Sequence, residues 1–380
     1  MTGLWNVDLP SVVVQLTGGV QVSLDVLDVA PDPPDVSNLP ALFNPGTPGI
    51  GEVWIDLEYE KTGGKTKPGT ATVVDASNWT VTRKVALPDI NMNNPHNMWA
   101  SADQSTIYQT QWFDTKLTAF RRTDGVLLQN IEVGESPAHV MTRVDTDQVH
   151  VSLNGENAVT ELHPSATGIN RRILTQHPGE NPAQPHAHWM SHDGQTMVTP
   201  NSNTGDSTRI DIPTGTITAK TITGTLPIAS GMMPDASKYY VSNYLDSTIS
   251  CISIVAGACK DDAGVGVATK TIALLVGGTT PGLANYDPSS GTGFTTSGGL
   301  PIQTPVSPDG KYVVTANTLT ATITIIDTDT DKLVRVLPCS AGCHGVNFGA
   351  KAGGGYYAYV SSKFSNDLIV VDLDPIGSGL

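Results

Sequence analysis

Five of the nine histidines stand at one recurring place, one to three residues after a proline or directly after a cysteine. They are His96 in Asn-Pro-His, His139 in Ser-Pro-Ala-His, His186 and His188 in Gln-Pro-His-Ala-His, and His344 in Cys-His-Gly. Clustered neutral imidazoles with no carboxylate beside them suit copper best, then zinc or iron. We therefore expect a metal site if the fold gathers them; alternatively, each imidazole only bonds a backbone carbonyl of the next repeat.

Two methionines, Met232 and Met233, occupy the corresponding position of a further repeat. A thioether favours copper, especially Cu(I), so Met232 is a candidate ligand. The alternative is that one methionine fills the central space while the other packs between repeats.

The four cysteines fall in two local pairs, Cys251 with Cys259 and Cys339 with Cys343. In an oxidising compartment they form two short-loop disulfides. The second pair runs into His344 as Cys-x-x-x-Cys-His, one residue longer than the usual attachment sequence for c-type haem. A haem bonded to both cysteines, with His344 as axial ligand, is thus an alternative, although we favour a disulfide loop that aims His344 inward.

Polar side chains also stand in the turns that follow the Tyr- and Val-rich strands. Glu156 or Glu58 is a candidate general base, and Lys363 is a candidate partner for an anionic substrate. Trp112 and Phe113 lie in an equivalent turn and are candidates for the wall of a pocket. The alternative is that such polar residues only cap tight turns.

Short strands in a repeating unit must position these residues. The strand KYYVSN at 238–243 recurs as KYVVTAN at 311–317 and as YAYVSS at 357–362. Each is followed by a polar turn and an alternating run, at 248–254, 322–327 and 367–372. Period-two alternation predicts half-buried strands, and a repeat of this kind predicts a repetitive β architecture.

These motifs resemble the YVTN-type β-propeller family, whose tetrapeptide Tyr240-Val-Ser-Asn243 nearly spells. The resemblance implies an all-β chain with one domain over residues 1–380, a seven-bladed propeller of four-stranded antiparallel blades. The predicted inner strands start near residues 20, 96, 139, 186, 231, 303 and 344. The N-terminal run 11–16 is expected to supply the outer strand of the last blade and so to close the ring.

A propeller with histidines at its axial mouth is also similar to the copper domain of nitrous oxide reductase and to thiocyanate dehydrogenases. The resemblance implies copper held by the matching positions, His96, His139, His186, His188 and His344. The chain has fewer axial histidines than the nitrous oxide reductase centre needs, and it lacks that enzyme's cupredoxin domain. A mononuclear or dinuclear site is therefore expected.

Charge and hydropathy exclude some partners. With 21 basic and 36 acidic residues, the net charge of −15 argues against nucleic acid and against an anionic membrane surface. No apolar run is long enough to span a bilayer. The first residues show no export signal, but the low charge and the paired cysteines favour a periplasmic or extracellular location after removal of such a signal.

Two classes of function follow from these observations. One is an extracytoplasmic copper oxidoreductase that acts on a small molecule or ion, with a redox protein or dioxygen handling the electrons. The other is a non-catalytic propeller that serves as a binding, scaffold or surface-assembly domain through its insertions, 251–266 or 288–299. The c-type haem protein remains the further alternative.

Overall fold

Seven antiparallel sheets surround one axis in the computed structural model, which describes residues 12–15, 21–24, 45–58, 69–85, 94–275 and 298–373. In the first half the strands are β1 (Val12–Gln15), β2 (Gln21–Leu24), β3 (Glu52–Leu57), β4 (Thr70–Asp75), β5 (Thr80–Val85), β6 (Pro95–Ala100), β7 (Thr106–Gln111), β8 (Lys116–Arg121), β9 (Leu127–Glu132), β10 (Pro137–Thr142), β11 (Val149–Leu153), β12 (Ala158–Leu162) and β13 (Ile169–Leu174). The second half contains β14 (Trp189–Met190), β15 (Thr196–Asn201), β16 (Asp206–Asp211), β17 (Thr216–Ile222), β18 (Pro227–Met232), β19 (Lys238–Asn243), β20 (Thr248–Ser253), β21 (Cys259–Lys260), β22 (Gly266–Val267), β23 (Thr269–Ala273), β24 (Tyr312–Asn317), β25 (Thr322–Asp327), β26 (Lys332–Pro338), β27 (Cys343–Ala350), β28 (Tyr356–Ser362) and β29 (Asp367–Asp372).

Each sheet is one blade, and the predicted all-β, seven-bladed propeller is confirmed. Blades 1 to 4 are β3–β5, β6–β9, β10–β13 and β14–β17, and blade 5 is β18, β19, β20 and β23. Blade 6 is β24–β26, with residues 301–306 bridging its inner edge, and blade 7 is β27–β29. The hairpin β21–β22 belongs to the first predicted insertion, whereas most of 288–299 lies outside the described residues.

Hydrophobic clusters fill the spaces between neighbouring blades. Val151 and Leu153 of blade 3 pack with Tyr108 and Leu117 of blade 2, and equivalent clusters join the other blades from 1 through to 7. The alternating strands supply these side chains, because every second residue points to the same face of the sheet. The core is thus divided among the blade interfaces rather than placed at the axis.

The ring closes between blades 7 and 1 through the segment 47–50. Gly49 bridges Lys351, and Tyr357 Oη donates a 2.8 Å hydrogen bond to Thr47 O. A side chain at Gly49 would lie 2.6 Å from Tyr359 Oη, so this approach requires glycine. The predicted closure by residues 11–16 is not confirmed: the described part of that run, β1, pairs with β2. The inner strand predicted near residue 20 corresponds to β2, which pairs with β1 and with no described strand of blade 1.

An extra residue interrupts every described inner strand at the start of the repeat. Pro137 and Val140 of β10 are three residues apart, whereas their partners in β11, Leu153 and Val151, are only two apart. The inner strands of blades 2 and 4–7 show the same one-residue excess. A β-bulge of this kind turns the following side chains away from the regular alternation. It therefore lets residues at different offsets after the proline reach the axis.

Hydroxyl groups of the second strands hold several of these bulges. Ser152 Oγ accepts a hydrogen bond from His139 N at 3.2 Å and donates one to His186 O in the next blade at 2.7 Å. Thr110 and Ser242 form the same pair of bonds in blades 2 and 5, to Asn97 N and Ala138 O and to Ala229 N and Ile302 O. The hydroxyl position of the repeated Tyr-Val-Ser-Asn motif thus fixes both the bulge and the adjacent blade.

Replacing Ser152 with alanine should lower the free energy of unfolding by about 1–3 kcal/mol, because two buried backbone groups lose their partner. Ser230→Ala is the matched control. Ser230 is also a buried serine on a blade strand, but its hydroxyl has no partner among the described residues. Urea titration followed by circular dichroism measures both variants, and equal losses would contradict the role given to Ser152.

Candidate metal site at the axial mouth

Three histidines from consecutive blades meet at one end of the axis. Nε2 of His96 lies 3.2 Å from Nε2 of His186, and one ligand atom from each of His96, His139 and His186 lies within 4.8 Å of the others. Two nitrogens on one tetrahedral zinc or copper ion, each about 2.0 Å from it, stand roughly 3.3 Å apart. The His96–His186 pair therefore has the separation that a shared ion requires, and His139 lies beside it.

The hydrogen bonds around the triad set which nitrogen of His186 is protonated and engage Nε2 of His139. His186 Nδ1 lies 3.0 Å from Ile228 O, and since a carbonyl only accepts, Nδ1 carries the proton and Nε2 is bare. Gln303 Nε2 lies 3.3 Å from His139 Nε2, so in the metal-free protein the amide donates to that nitrogen, and an ion bound there would replace this hydrogen bond. Carbonyl bonds to the outer ring nitrogen orient metal-ligating histidines in the same manner.

His96 has a carboxylate on its outer side. Glu58 Oε1 lies 3.9 Å from His96 Nδ1, which is buried. Without a metal, His96 Nε2 must donate to the bare Nε2 of His186, which leaves Nδ1 unprotonated. A metal at Nε2 would move that proton to Nδ1, where Glu58 favours it. Glu58 thus supports the ligand form of His96.

Lys363 pairs with the same carboxylate. Its ammonium forms an ion pair with Glu58, and only 14% of the Lys363 side chain and 11% of the Glu58 side chain are exposed. Burial lowers the pKa of Lys363, although the Glu58 charge opposes this effect. The structure therefore places Lys363 near the triad, as a partner of Glu58.

The remaining two axial histidines flank the triad. The ring centroids of His344 and His96 are 5.9 Å apart, and His344 Nε2 is buried without a hydrogen-bond partner among the described residues. His188 lines a cavity together with His139. Neither belongs to the set of atoms within 4.8 Å, so their roles as ligands stay predictions.

Burial keeps all five imidazoles neutral. It lowers the pKa of His186 to about 4 and those of His188 and His344 to about 3, and it holds the pKa values of His96 and His139 well below the usual value. Neighbouring imidazoles add to the effect for His96 and His139. Neutral imidazole is the form that binds metal ions.

An aromatic pair covers the triad on one side. The ring centroid of Trp112 lies 4.3 Å from that of His96 and 5.3 Å from that of His186. Phe113 stacks on Trp112 at 5.7 Å and is 43% exposed. Trp112 thus packs against two of the imidazoles, while the predicted role of the pair as the wall of a pocket stays a prediction.

Two other candidate residues have different surroundings. Glu156 forms an ion pair with Arg172 and accepts a 2.8 Å hydrogen bond from Glu135 N, and no described contact joins it to the triad. Met232 packs in the hydrophobic cluster between blades 4 and 5, beside Tyr239 and Trp189. Their catalytic and metal-binding roles stay predictions, while their described contacts are those of a turn and of the core.

Gln303 was absent from the sequence-based site, although a positional signal existed. It stands two residues after Pro301, as His139 stands two residues after Pro137. A comparison of the residues that stand at equal distances after the proline of each repeat, whatever their type, therefore identifies Gln303.

Both predicted disulfides are present, Cys251–Cys259 and Cys339–Cys343. The second pair lies directly before His344 at the start of β27. With both sulfurs joined to each other, neither is available for a thioether bond to haem in this structure. The structure thus contains the predicted disulfide loop before His344, and haem binding stays a prediction.

The fold and site define a seven-bladed β-propeller with a cluster of histidines at its axial mouth.

No protein-family model and no curated protein matches the sequence. Among solved structures, the chain is similar to hydrazine synthase of Kuenenia stuttgartiensis, at 18% identity and a TM-score of 0.64 over 80% of this chain and 90% of that one. The Cps50 (Swd1) β-propeller domain of Myceliophteria thermophila matches at 12% identity and a TM-score of 0.58, over 80% and 91%. A protein of Bacteroides uniformis described as a "putative 6-phosphogluconolactonase" matches at 16% identity and a TM-score of 0.54, over 84% and 95%.

These similarities show the fold alone. They bear on neither the YVTN-type family nor the copper propellers, so both resemblances stay predictions. Among the residues that the structure describes, no helix has the length and hydropathy needed to cross a membrane.

Lowering the pH should destabilise the metal-free protein through the buried imidazoles. Unfolded histidine has a pKa of about 6.5, so between there and the folded value the unfolded chain binds a proton that the folded chain does not. For His188, whose folded pKa is about 3, the stabilisation is complete above pH 6.5 and is lost as the pH falls toward 3.

The His188→Gln variant isolates this contribution. The difference in free energy of unfolding between wild type and variant should change by about 1.4 kcal/mol per pH unit from pH 6 to 4, with wild type losing more. Urea titrations at several pH values measure it, and replacement of the exposed His163 by glutamine is the control. Parallel wild-type and His188→Gln curves would contradict the burial of a neutral imidazole.

Proposed function

We propose that this chain is an extracytoplasmic metalloprotein that holds copper at the axial triad and acts as an oxidoreductase on a small molecule or ion. The 3.2 Å separation of the His96 and His186 Nε2 atoms, with His139 beside them, carries the proposal. Three neutral, buried imidazoles suit copper and, next, zinc. A bound copper ion would supply one-electron chemistry, while the chain's own residues orient its ligands.

Each chain residue in the proposal has a defined task. Ile228 O and Glu58 set the protonated nitrogens of His186 and His96, and Trp112 limits access of water to the triad. His344 and His188 are candidates for further ligands, as the resemblance to copper propellers implies. An external redox protein or dioxygen would exchange electrons with the site.

The proposed location rests on chemistry as well. Two disulfides and no free cysteine among the described residues are typical of an oxidising compartment, that is, the periplasm or the extracellular space. Copper loading in the same compartment would not compete with free thiols.

Metal analysis tests the proposal directly. Protein dialysed against chelator and then loaded with copper should retain about one equivalent or more after gel filtration, because three buried imidazoles converge. His96→Gln and His186→Gln should each weaken binding at least tenfold, whereas His163→Gln should not. The Cu(II) paramagnetic signal should vanish on reduction and return on oxidation. If the protein retained zinc but no copper, the metal site would be supported and the proposed redox role would be wrong.

The charge pair beside His96 should tune the metal affinity in opposite directions. Glu58→Gln removes a negative charge near the ion and should weaken binding about threefold to tenfold, whereas Lys363→Met removes a positive charge and should strengthen it. Competition with a chromophoric chelator measures both affinities. Equal effects of the two variants would show that Glu58 and Lys363 act only through folding.

A non-catalytic binding domain is the second candidate. The insertion at 251–266 carries Val255 inside the loop closed by the Cys251–Cys259 disulfide and Val265 in the turn of the hairpin β21–β22, and these valines are 59% and 60% exposed. Exposed valines on an inserted segment suit contact with a partner. Less than about half an equivalent of any transition metal after loading would favour this function over the first.

A further inference from the structure

A small polar cavity lies on the propeller axis next to the metal triad. Its polar walls come from the inner segments of six blades, 2 to 7, and they are Asn97, His139, His188, Ser230, Gln303 and Asn347. The space between them admits a molecule of only a few non-hydrogen atoms. Asn347 is exposed and marks the side that opens to solvent.

Two buried side chains in this wall have unused hydrogen-bonding capacity. His188 is 1% exposed, and neither of its ring nitrogens has a partner among the described residues. Ser230 is 2% exposed, and its hydroxyl is likewise without a partner there. A buried polar group without a partner is costly, so such atoms point to something that the cavity receives.

The cavity wall is electrically neutral. No Asp, Glu, Lys or Arg is among the described residues that line it, and the amides, the hydroxyl and the imidazoles both donate and accept hydrogen bonds. The apolar part of the wall is Trp99, Val140, Met141, Trp189 and Val346, and the two tryptophan ring centroids lie 6.0 Å apart in an edge-to-face arrangement. A free anion or cation would lose its hydration here without gaining an opposite charge.

We propose that this cavity is a binding site for a small uncharged molecule that both donates and accepts hydrogen bonds. Gln303 connects it to the triad, because its amide lies 3.3 Å from His139 Nε2. A molecule in the cavity therefore lies beside the proposed metal ligands. Its role as substrate rests on the proposed function, whereas its binding does not.

Formamide and formate provide a matched pair of probes, since they have the same size and differ in charge. Metal-free protein labelled with nitrogen-15 in histidine is titrated with each, and the His188 ring signal is identified by its loss in His188→Gln. Formamide should shift that signal saturably with a Kd no tighter than about half a millimolar, the ceiling for three non-hydrogen atoms. Formate should bind at least tenfold more weakly.

Variants test the geometry of the site. Ser230→Ala should weaken formamide binding several-fold, and His188→Phe, followed through the His139 signal, should abolish it. Replacement of the exposed Ser365 with alanine is the control and should change nothing. Equal binding of formate, no response to formamide up to about 100 mM, or an unchanged affinity in both cavity variants would each overturn the proposal.

The outcome is separable from that of the metal site. Protein that binds formamide but retains no copper would keep the cavity and lose the proposed oxidoreductase. Protein that retains copper but shows no formamide response would keep the metal site and lose the cavity as a binding site.

Discussion

The extra residue in each described inner strand is the constraint on which the site depends. In a regular strand, side chains one and two residues after the proline would point to opposite faces. The bulge brings His96, at the first offset, and His139, at the second, to the same axis. Ser152 then fixes the backbone of His139 and that of His186 in the next blade through one hydroxyl. Ligands from separate blades are thus set by main-chain hydrogen bonds, and their positions follow from the packing of the ring.

Close packing at the axis has an electrostatic consequence. The imidazoles are removed from water, which keeps them in the neutral form that can bind a Lewis acid. The one carboxylate described beside them, Glu58, faces the outer nitrogen of His96 and is already paired with Lys363. A cation at the triad would therefore be coordinated mainly by neutral donors. Such a centre retains most of its positive charge, which favours a ligand or substrate with an available electron pair.

The repeat made the fold and the gathering of histidines predictable, because Tyr-Val-Ser-Asn strands and alternating runs specify blades whatever lies between them. Pairing at the N-terminus was not predictable, since several apolar runs fit an open edge equally well by pattern. The ring instead closes where Gly49 permits backbone contact with blade 7. The roles of Gln303 and Glu58 depend on which ring nitrogen each faces, and residue spacing carries no such information. Met232 stands at the predicted position of its repeat, yet its side chain packs in the hydrophobic cluster between blades 4 and 5. Position in the repeat therefore does not decide by itself whether a side chain reaches the axis.

The charges at the mouth restrict what the site can accept. Lys363 was expected to neutralise an anionic substrate, yet its ammonium is paired with Glu58, so an anion binding there would have to compete with a carboxylate already in place. The chain also carries a net charge of −15, which repels anions at long range. An anion would thus depend on the metal ion for its binding energy, whereas an uncharged molecule can use the neutral wall of Gln303, His188 and Ser230 without displacing either member of the ion pair. The arrangement of charge therefore favours the neutral cavity over Lys363 as the place where a small molecule is held next to the triad.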